Sequence, residues 1–522
     1  MKGNRNENMR AARETSWDIV VVGGGATGLG IAVDAASRGL KTVLVEQSDF
    51  AKGTSSRSTK LVHGGVRYLQ NGDIPLVREA LRERGIMRKN APHLVRDMRF
   101  IIGQYRWWER AFYSIGLKFY DMLSGSLGFG RSRPMSKESV LAEIPMLSRE
   151  NLRGGVVYHD GQFDDARMAV SLALTAADFG AACLNYAKAE AVLKDARGNV
   201  CGVRVKDVLG GEIFNINAKI VINAAGVFVD DIMRMDAPEA RKTVRPSQGA
   251  HLVVDSSFLG GDSALMIPKT DDGRVLFAVP WHGRVILGTT DTPLDDESLE
   301  PRALESEVDF ILSQTGKYLA KKPSRKDVLC VFAGLRPLAA PAKAGSGATK
   351  EISRSHKIAI SPSGLVSVAG GKWTTYRAMA EDVLNKALRR FGISAAPCIT
   401  ASLRLHGCME NACRSSWNYV YGTDAEKIAQ IEKENPAMAE RIHPKYSFTK
   451  AQVAFAARSE FAQTVDDVLA RRVRLLFIDA RAAAEAAEAV AVVLAAELGK
   501  GAHWARAQAG AFRELAKGYI LK

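Results

Sequence analysis

The feature that most constrains the fold is a glycine-rich string directly after a short apolar run near the N-terminus. Residues 17–22 (WDIVVV) have the pattern of a buried strand, and residues 23–28 read GGGATG. A run of small residues typical of a helix follows, and residues 41–46 (KTVLVE) indicate a second strand. The sequence therefore predicts a complete βαβ unit.

The spacing of Gly23, Gly25 and Gly28 within this unit predicts a dinucleotide-binding turn. Gly23 permits the tight turn, Gly25 lets the backbone approach a pyrophosphate, and Gly28 lets the helix pack closely on the strand. The first N–H groups of the helix would then face the phosphates. Glu46 ends the second strand, where a carboxylate can accept hydrogen bonds from a ribose. We therefore favour dinucleotide binding over a purely structural glycine turn.

The chain after this unit favours FAD over a nicotinamide cofactor. Residues 53–70 (GTSSRSTKLVHGGVRYLQ) are rich in hydroxyl groups and small residues, where a nicotinamide dehydrogenase would normally continue into another βα unit. A flavoprotein threads such a segment along its cofactor, although a solvated serine-rich loop has the same composition. Residues 219–226 (KIVINAAG) and 366–377 (VSVAGGKWTTYR) add two small-residue turns. The second leads into a helix whose N-terminus, with Lys372, would stabilise negative charge on a reduced flavin.

The remaining patterns predict an α/β protein with three domains. Residues 248–338 change to the period-two alternation of antiparallel strands, and the chain after about residue 395 is helical and alanine-rich. We expect a Rossmann-like FAD-binding domain, an antiparallel-sheet substrate domain and a C-terminal all-helical domain. The predicted ranges are 17–95 with 153–235 and 340–390 for the FAD-binding domain, 96–152 with 236–339 for the substrate domain, and 395–522 for the C-terminal domain.

The charge of the chain favours anionic partners. Its 522 residues contain 72 Lys and Arg against 57 Asp and Glu, a net charge of +15, which suits nucleic acid, acidic lipid or a phosphorylated small molecule. A hydrophobic content of 47% excludes a disordered chain. The six cysteines form no CxxC pair, so no zinc ribbon, redox motif or metal cluster is expected. No apolar run is long enough to span a bilayer, and no secretory signal is expected.

Residues 96–137 have an unusual composition. They contain eight basic residues, three acidic residues and nine aromatic residues. Basic residues interleaved with Trp and Tyr suit a segment that lies in the interface of an anionic membrane. A buried aromatic helix with a solvated basic face would have the same composition, and composition alone does not separate the two.

Several strings resemble one flavoprotein family. They are VVGGGATGLGIAVDAASRGL, TSSRSTKLVHGGVRYL, HDGQFDDARM, NAAGVFVD, LGTTD, AGLRPL and GGKWTTYR. Together they closely resemble the FAD-dependent glycerol-3-phosphate dehydrogenases of the D-amino-acid-oxidase-like superfamily, from Trp17 to about residue 385. Residues 447–472 look like the C-terminal domain of that family, whereas residues 398–446 match no string of it.

The resemblance implies an activity and a location. It implies oxidation of sn-glycerol 3-phosphate to dihydroxyacetone phosphate, with hydride passed to flavin N5 and electrons passed to ubiquinone or menaquinone. The protein would be cytoplasmic and peripheral on the inner, anionic face of the cell membrane. The resemblance leaves open whether it forms a homodimer. One alternative is a soluble oxidase that uses oxygen. An RNA-binding flavoprotein and an amino-acid oxidase are weaker alternatives, and nucleic acid is not needed to explain the charge.

The resemblance also implies roles for individual residues. His251 is the candidate base, because a neutral imidazole can accept a hydroxyl proton near pH 7. Arg336 or Lys372 would help to polarise the developing alkoxide. Substrate contacts are expected from Arg67, Tyr68, Arg336, Arg354 and Thr374, since the arginine fork matches a phosphate. Cofactor contacts are expected from Gly23, Gly25, Gly28, Glu46, Gln47, Thr54, Ser55, Ser58, Lys60, Leu61, His63, Gly64, Ala189, Ala225, Gly226, Gly371, Lys372 and Thr374.

Overall fold

The computed structural model of the chain describes residues 5–66, 69, 72–339 and 356–521. Two β-sheets and a set of helices form this part of the chain. The strands are β1 (Trp17–Val22), β2 (Thr42–Val45), β3 (Leu61–Val62), β4 (Val95–Gln104), β5 (Arg133–Ser136), β6 (Gly154–Phe163), β7 (Ala182–Leu184), β8 (Ala187–Lys194), β9 (Val200–Asp207), β10 (Ile213–Asn223), β11 (Val244–Asp255), β12 (Ala264–Ile267), β13 (Leu276–Trp281), β14 (Arg284–Gly288), β15 (Thr292–Pro293), β16 (Val328–Ala339), β17 (Lys357–Ile360) and β18 (Val366–Ala369).

The α-helices are distributed along the whole described chain. They are α1 (Arg5–Glu14), α2 (Ala26–Ser37), α3 (Ile74–Asn90), α4 (Glu109–Ser124), α5 (Lys137–Glu143), α6 (Asp165–Asp178), α7 (Val229–Asp236), α8 (Glu305–Gly316), α9 (Tyr376–Phe391), α10 (Ala425–Glu434), α11 (Lys450–Ser459), α12 (Leu475–Ile478), α13 (Ala480–Glu497) and α14 (Ala502–Lys517). No helix in this part of the chain is both long enough and apolar enough to cross a membrane.

The first sheet has the doubly wound arrangement that the βαβ unit predicts. Its order is β17-β18-β10-β1-β2-β7, with β8 and β9 attached beside β10. Strand β1 pairs in parallel with β2 on one side and with β10 on the other. Nearly all residues of β1, β2 and the end of β10 are buried, as expected for strands covered on both faces. The carboxyl ends of these three strands therefore meet at one edge, where such folds bind ligands.

The second sheet is ten-stranded and mostly antiparallel. Its order is β15-β11-β14-β13-β12-β4-β6-β3, with β16 beside β11 and β5 beside β6. Strands β3 and β6 lie in ranges predicted to belong to the FAD-binding domain, but they pair into this sheet. The long antiparallel pairing of β6 with β4, from Val95↔Phe163 to Gln104↔Gly154, decides its place. A fully buried strand shows no alternation, so the pattern of β6 suits either sheet.

The C-terminal part is helical, as predicted. After β18, the described residues form helices from α9 to α14 and no named strand. The alanine-rich helix α13 packs between α11, α14 and the outer face of β16. Together the two sheets and these helices confirm the predicted fold class, an α/β protein with a Rossmann-like sheet, an antiparallel-sheet domain and a C-terminal helical region.

Residues 96–137 do not form one surface segment. Residues 96–104 belong to β4, a largely buried strand between β6 and β12. Helix α4 follows, and it carries apolar side chains on both its buried and its exposed face. Its inner face buries Leu117 and Tyr120, whereas its outer face exposes a row of large apolar side chains.

Candidate active site

A cavity of about 1130 Å³ is lined by residues of both sheets. It begins at the carboxyl edge of β1, β2 and β10 and reaches the faces of β11, β13 and β16 in the second sheet. Single small-molecule pockets usually have about 300–1,000 Å³. The cavity is therefore large enough for a dinucleotide together with a small substrate.

The glycine turn forms the first wall. Gly23 has a φ of +114°, and a Cβ there would lie 2.5 Å from the carbonyl oxygen of Ala224. Gly25 caps α2, and the backbone N–H of Ala26 donates to Ser55 Oγ at 2.9 Å. Gly28 lies outside the lining, where a Cβ would overlap the carbonyl of Gly23. Gly28 therefore acts through close packing of the helix rather than through cofactor contact.

Glu46 lines the cavity at the end of β2. Its carboxylate accepts hydrogen bonds from the backbone N–H groups of Gly24, at 2.7 Å, and Ser48, at 2.9 Å. Burial raises the pKa of Glu46, and these two hydrogen bonds oppose that rise. Each oxygen keeps a further lone pair, so the group can still accept a bond from a ribose hydroxyl. Gln47 and Ala189 line the same end of the cavity.

The hydroxyl-rich segment supplies the next wall. Fifteen of the predicted cofactor residues line the cavity: Gly23, Gly25, Glu46, Gln47, Thr54, Ser55, Ser58, Leu61, His63, Ala189, Ala225, Gly226, Gly371, Lys372 and Thr374. Gly64 lies behind the wall, where its N–H donates to Tyr120 Oη at 2.8 Å and a Cβ would meet that oxygen at 2.5 Å.

Lys60 departs from the prediction of a cofactor contact. It is fully buried, and its ammonium donates to Asp165 Oδ2 and to the carbonyl of Ser56, both at 2.7 Å. It also lies over the rings of Phe332 and Phe477. The Lys60 ammonium is therefore neutralised by Asp165 within the protein, because a buried ammonium needs an ion-pair partner.

The turn after β18 closes the cavity opposite the glycine turn. Gly370 and Gly371 have φ values of +83° and +88°, and both line the cavity with Lys372 and Thr374. A short 3₁₀ turn then leads into α9. The indole N–H of Trp373 donates to the carbonyl of Ser55 at 2.8 Å, which ties this turn to the hydroxyl-rich segment.

His251 lies on β11 and lines the cavity. Its ring stacks on Phe332 of β16, with 4.7 Å between the ring centroids, and Nε2 lies 2.9 Å from Thr59 Oγ1. Nδ1 is buried and has no hydrogen-bond partner among the described residues. Burial, with the positive charges of Lys60 and Arg336, holds the pKa of His251 well below its usual value. The imidazole is therefore neutral near pH 7 and can accept a proton.

Arg336 projects from β16 into the same cavity. Its Nη1 donates to Asp291 Oδ1 at 3.2 Å and to the carbonyl of Gln248 at 3.3 Å, and its Nη2 donates to Thr289 Oγ1 at 3.2 Å. These bonds hold the guanidinium at the cavity wall. Arg67, Tyr68 and Arg354, the other predicted substrate contacts, lie outside the described residues.

Arg274 and Thr59 are among the cavity residues that were not predicted from the sequence. Arg274 precedes β13 and pairs with Asp272, with 2.5 Å between Nε and Oδ2. Its Nη1 is buried without a hydrogen bond in the described part of the chain. Thr59 lines the cavity beside His251. Thr59 could have been found from the sequence, because it lies in the hydroxyl-rich segment. Arg274 could not, because an arginine after a DDG turn is not typical of any binding site.

Comparison with known proteins shows the family of the chain. The model of the FAD-dependent oxidoreductase family matches residues 18–377, and that of the C-terminal domain of alpha-glycerophosphate oxidase matches residues 366–508. A mitochondrial glycerol-3-phosphate dehydrogenase of Rattus norvegicus is 40% identical over 530 residues, covering 95% of this chain and 72% of its own length. The chain belongs to the FAD-dependent glycerol-3-phosphate dehydrogenase family.

Other members of the family support the assignment. The mitochondrial enzyme of Arabidopsis thaliana is 39% identical over 523 residues, covering 92% of this chain and 82% of its own. The crystal structure of the glycerol-3-phosphate dehydrogenase from Bacillus halodurans, complexed with FAD, has a TM-score of 0.81 and 30% identity over 99% of this chain and 98% of its own. The second family model also spans residues 398–446, for which the sequence showed no resemblance.

FAD is the cofactor of this family, and the cavity fits it. The backbone at Gly23 leaves no room for a side chain, as the pyrophosphate turn requires. Glu46 stands at the end of β2 for a ribose, and the 370–374 turn precedes a helix N-terminus. The glycine turn would therefore hold the pyrophosphate of this cofactor, Glu46 a ribose, and the 370–374 turn its ring.

Proposed function

We propose that the protein oxidises sn-glycerol 3-phosphate to dihydroxyacetone phosphate and passes the electrons to a membrane quinone. One observation carries this proposal: a buried neutral histidine, His251, and a fixed arginine, Arg336, line the same cavity as the dinucleotide turn. Alcohol oxidation next to a phosphate needs a proton acceptor, a phosphate-binding group and a hydride acceptor in one space.

His251 is the proposed base. Its neutral ring takes the proton of the C2 hydroxyl as the C2–H bond breaks, and bound FAD supplies the hydride acceptor. The ring is held from three directions, by Phe332, by Thr59 and by the strand pairing of β11. A base fixed in this way reacts without first having to be oriented.

Arg336 and Arg274 are the proposed phosphate contacts in the described part of the chain. Asp291 and Thr289 orient the Arg336 guanidinium, and Asp272 orients that of Arg274. A planar fork binds two phosphate oxygens at once. We assign Arg67, Tyr68, Arg354 and Thr374 to the same substrate, and Lys372 to the developing alkoxide.

We propose a membrane-binding surface on the outer face of α4 and the two residues before it. The exposed apolar residues are Trp107 and Trp108, just before the helix, and Phe112, Ile115, Phe119 and Met122 within it. Trp107 is 81% exposed and Ile115 is 71% exposed, values that are unusual for such large apolar groups. Exposed Arg106, Arg110 and Lys118 lie on the same segment. An apolar face with basic residues beside it fits the interface of an anionic bilayer.

The inner face of α4 connects this surface to the cavity. Leu117 and Tyr113 pack in one apolar cluster with Phe100, Tyr158 and Phe277, which line the cavity. A lipid-soluble acceptor in the bilayer would therefore lie near the apolar end of the site. This arrangement supports a quinone acceptor, and we place the protein on the inner face of the cell membrane as part of the same proposal.

Oxygen is the alternative acceptor, because the C-terminal family model is that of an oxidase. The test uses the purified holoenzyme under anaerobic conditions. Glycerol 3-phosphate is expected to bleach the flavin, and a soluble quinone analogue is expected to restore its colour faster than air does. Failure to bleach would refute the substrate. Rapid reoxidation in air with stoichiometric peroxide would refute the quinone and favour the oxidase.

A further inference from the structure

We propose that Thr59 is a positioning residue for His251, and that the C-terminal helical region holds Thr59 in place through Asp165 and Arg474. This inference rests on the proposed role of His251 as the base. It assigns a function in the reaction to a contact between parts of the chain that are far apart in sequence.

The first step is the contact between Thr59 and the ring. The hydroxyl of Thr59 lies 2.9 Å from Nε2 of His251, and both residues line the cavity. Nδ1 of His251 has no hydrogen bond among the described residues. Within that part of the chain, the contact between Nε2 and Thr59 therefore orients the ring. Stacking on Phe332 fixes the plane of the ring but leaves it free to turn within that plane. The hydroxyl of Thr59 removes that freedom by holding Nε2 in one place.

The second step is the anchoring of Thr59 on both sides by one carboxylate. Oδ2 of Asp165 accepts from the backbone N–H of Ser58 at 3.0 Å and from its hydroxyl at 2.6 Å. The same oxygen accepts from the ammonium of Lys60 at 2.7 Å. Asp165 is fully buried at the start of α6. Thr59 therefore lies between two residues that are bonded to a single buried atom.

The third step brings in the C-terminal region. Arg474 precedes α12 and is fully buried, and its Nη2 donates to Oδ1 of Asp165 at 2.8 Å and to the carbonyl of Ser56 at 3.2 Å. Both Lys60 and Arg474 have a left-handed backbone, with φ values of +64° and +66°. Non-glycine residues adopt this conformation at a cost, and such positions concentrate at functional sites. Here the ion pairs with Asp165 hold both residues in it.

Charges face the ring directly from two elements. Lys60 faces it from the hydroxyl-rich segment and Arg336 from β16, while Asp165 and Arg474 lie one contact further away. The strand on the other side, β14, places Gly288 opposite His251 and brings no charge there. A change in Thr59 alters the orientation of the ring without altering any of these charges.

The test compares Thr59→Val with Thr59→Ser in the FAD-loaded enzyme. Thr59→Val keeps the shape but removes the hydroxyl, and we expect kcat with glycerol 3-phosphate to fall about tenfold to hundredfold. KM and FAD content should stay within about twofold. The acid limb of the pH profile of kcat/KM should also move, because the ring loses its orienting bond. Thr59→Ser should restore most of the rate and the original profile.

Two further variants separate positioning from folding. Arg474→Lys keeps the charge but loses the fork, and should reproduce part of the Thr59→Val effect on kcat and on the pH profile. Thr315→Val removes an equally buried hydroxyl, bonded to Ile311 in α8, and should change neither. Full turnover and an unchanged pH profile in Thr59→Val would overturn the inference. If His251→Ala also retained full turnover, the proposed base would fail as well, so the two failures are distinguishable.

Discussion

Gly288 and His251 lie directly opposite each other on β14 and β11, and a Cβ at Gly288 would approach Cδ2 of the imidazole to 2.5 Å. The ring therefore occupies the space that a side chain at position 288 would need. Phe332, the partner of His251 on the other neighbouring strand, stacks on the ring. The position of the proposed base thus depends on the absence of a side chain on one strand and the presence of a ring on the next.

We expect Gly288→Ala to lower kcat by at least about tenfold, because a displacement of roughly 1 Å in a reacting group can cost about a hundredfold in rate. The flavin should remain bound, since Gly288 is not part of the cofactor wall. Steady-state kinetics and the flavin content of the purified variant provide the measurement. Gly510→Ala, on the open face of α14 where a Cβ meets nothing within 4 Å, is the control. Normal kcat in Gly288→Ala would contradict the proposed position of the base.

Arg274 provides a test of the phosphate site. We expect Arg274→Met to raise KM for glycerol 3-phosphate about tenfold to hundredfold, since a hydrogen bond between charged groups contributes about 1.5–3 kcal/mol. FAD content should not change. Arg325→Met, which removes an exposed arginine of an ion pair on the surface, should leave KM unaltered. An unchanged KM in Arg274→Met would remove this residue from the substrate site.

The exposed face of α4 provides a test of membrane binding. We expect Phe112→Ser with Ile115→Ser to weaken co-sedimentation with anionic vesicles at least about tenfold, because each large apolar side chain contributes about 1.5–3 kcal/mol when fully buried. Turnover with a soluble quinone analogue should persist. Val492→Ser, on the exposed face of α13, is the matched control. Vesicle binding equal to that of the wild type would place the membrane contact elsewhere on the protein.

His406 provides a pH test of the contact between the C-terminal region and the end of helix α6. Its Nδ1 lies 2.8 Å from Asp178 and its Nε2 lies 2.7 Å from Asp424, so both nitrogens donate and the ring is an imidazolium. Burial would lower the pKa of His406, but hydrogen bonds and ion pairs with Asp178 and Asp424 raise it to about 9. A raised pKa stabilises the folded state below the pKa of the unfolded chain, near 6.5, and this contribution is lost as pH rises through about 9.

We therefore expect His406→Gln to lower the free energy of unfolding by about 2 kcal/mol at pH 6 and by much less at pH 9.5. Urea unfolding followed by fluorescence at the two pH values provides the measurement. His503→Gln, which lies in the first turn of α14 and is exposed, should show no such dependence. A loss of stability that is equal at both pH values would mean that the imidazolium does not form.

The nucleotide end of the site was predictable from the sequence because its signals are local. Gly23, Gly25 and Gly28 lie within six residues, from the end of a buried strand into a small-residue helix, and the backbone leaves no room for a Cβ at Gly23 or Gly28. Glu46 was predictable in the same way, because it ends the next strand. Fold class followed in the same way, since strand and helix periods are read within about ten residues.

The arrangement of the reactive groups could not be predicted, because it depends on contacts between distant parts of the chain. Lys60, predicted to contact the cofactor, instead pairs with Asp165, which is more than a hundred residues away along the chain. Thr59 and His251 are brought together over 192 residues, and Arg274 reaches the cavity through the pairing of β13. A local pattern specifies which element a residue joins, but side chains meet across elements through strand register and packing. Local patterns therefore specify the fold class and the cofactor turn, whereas the charge partners and the surroundings of the base depend on contacts that form only in the folded chain.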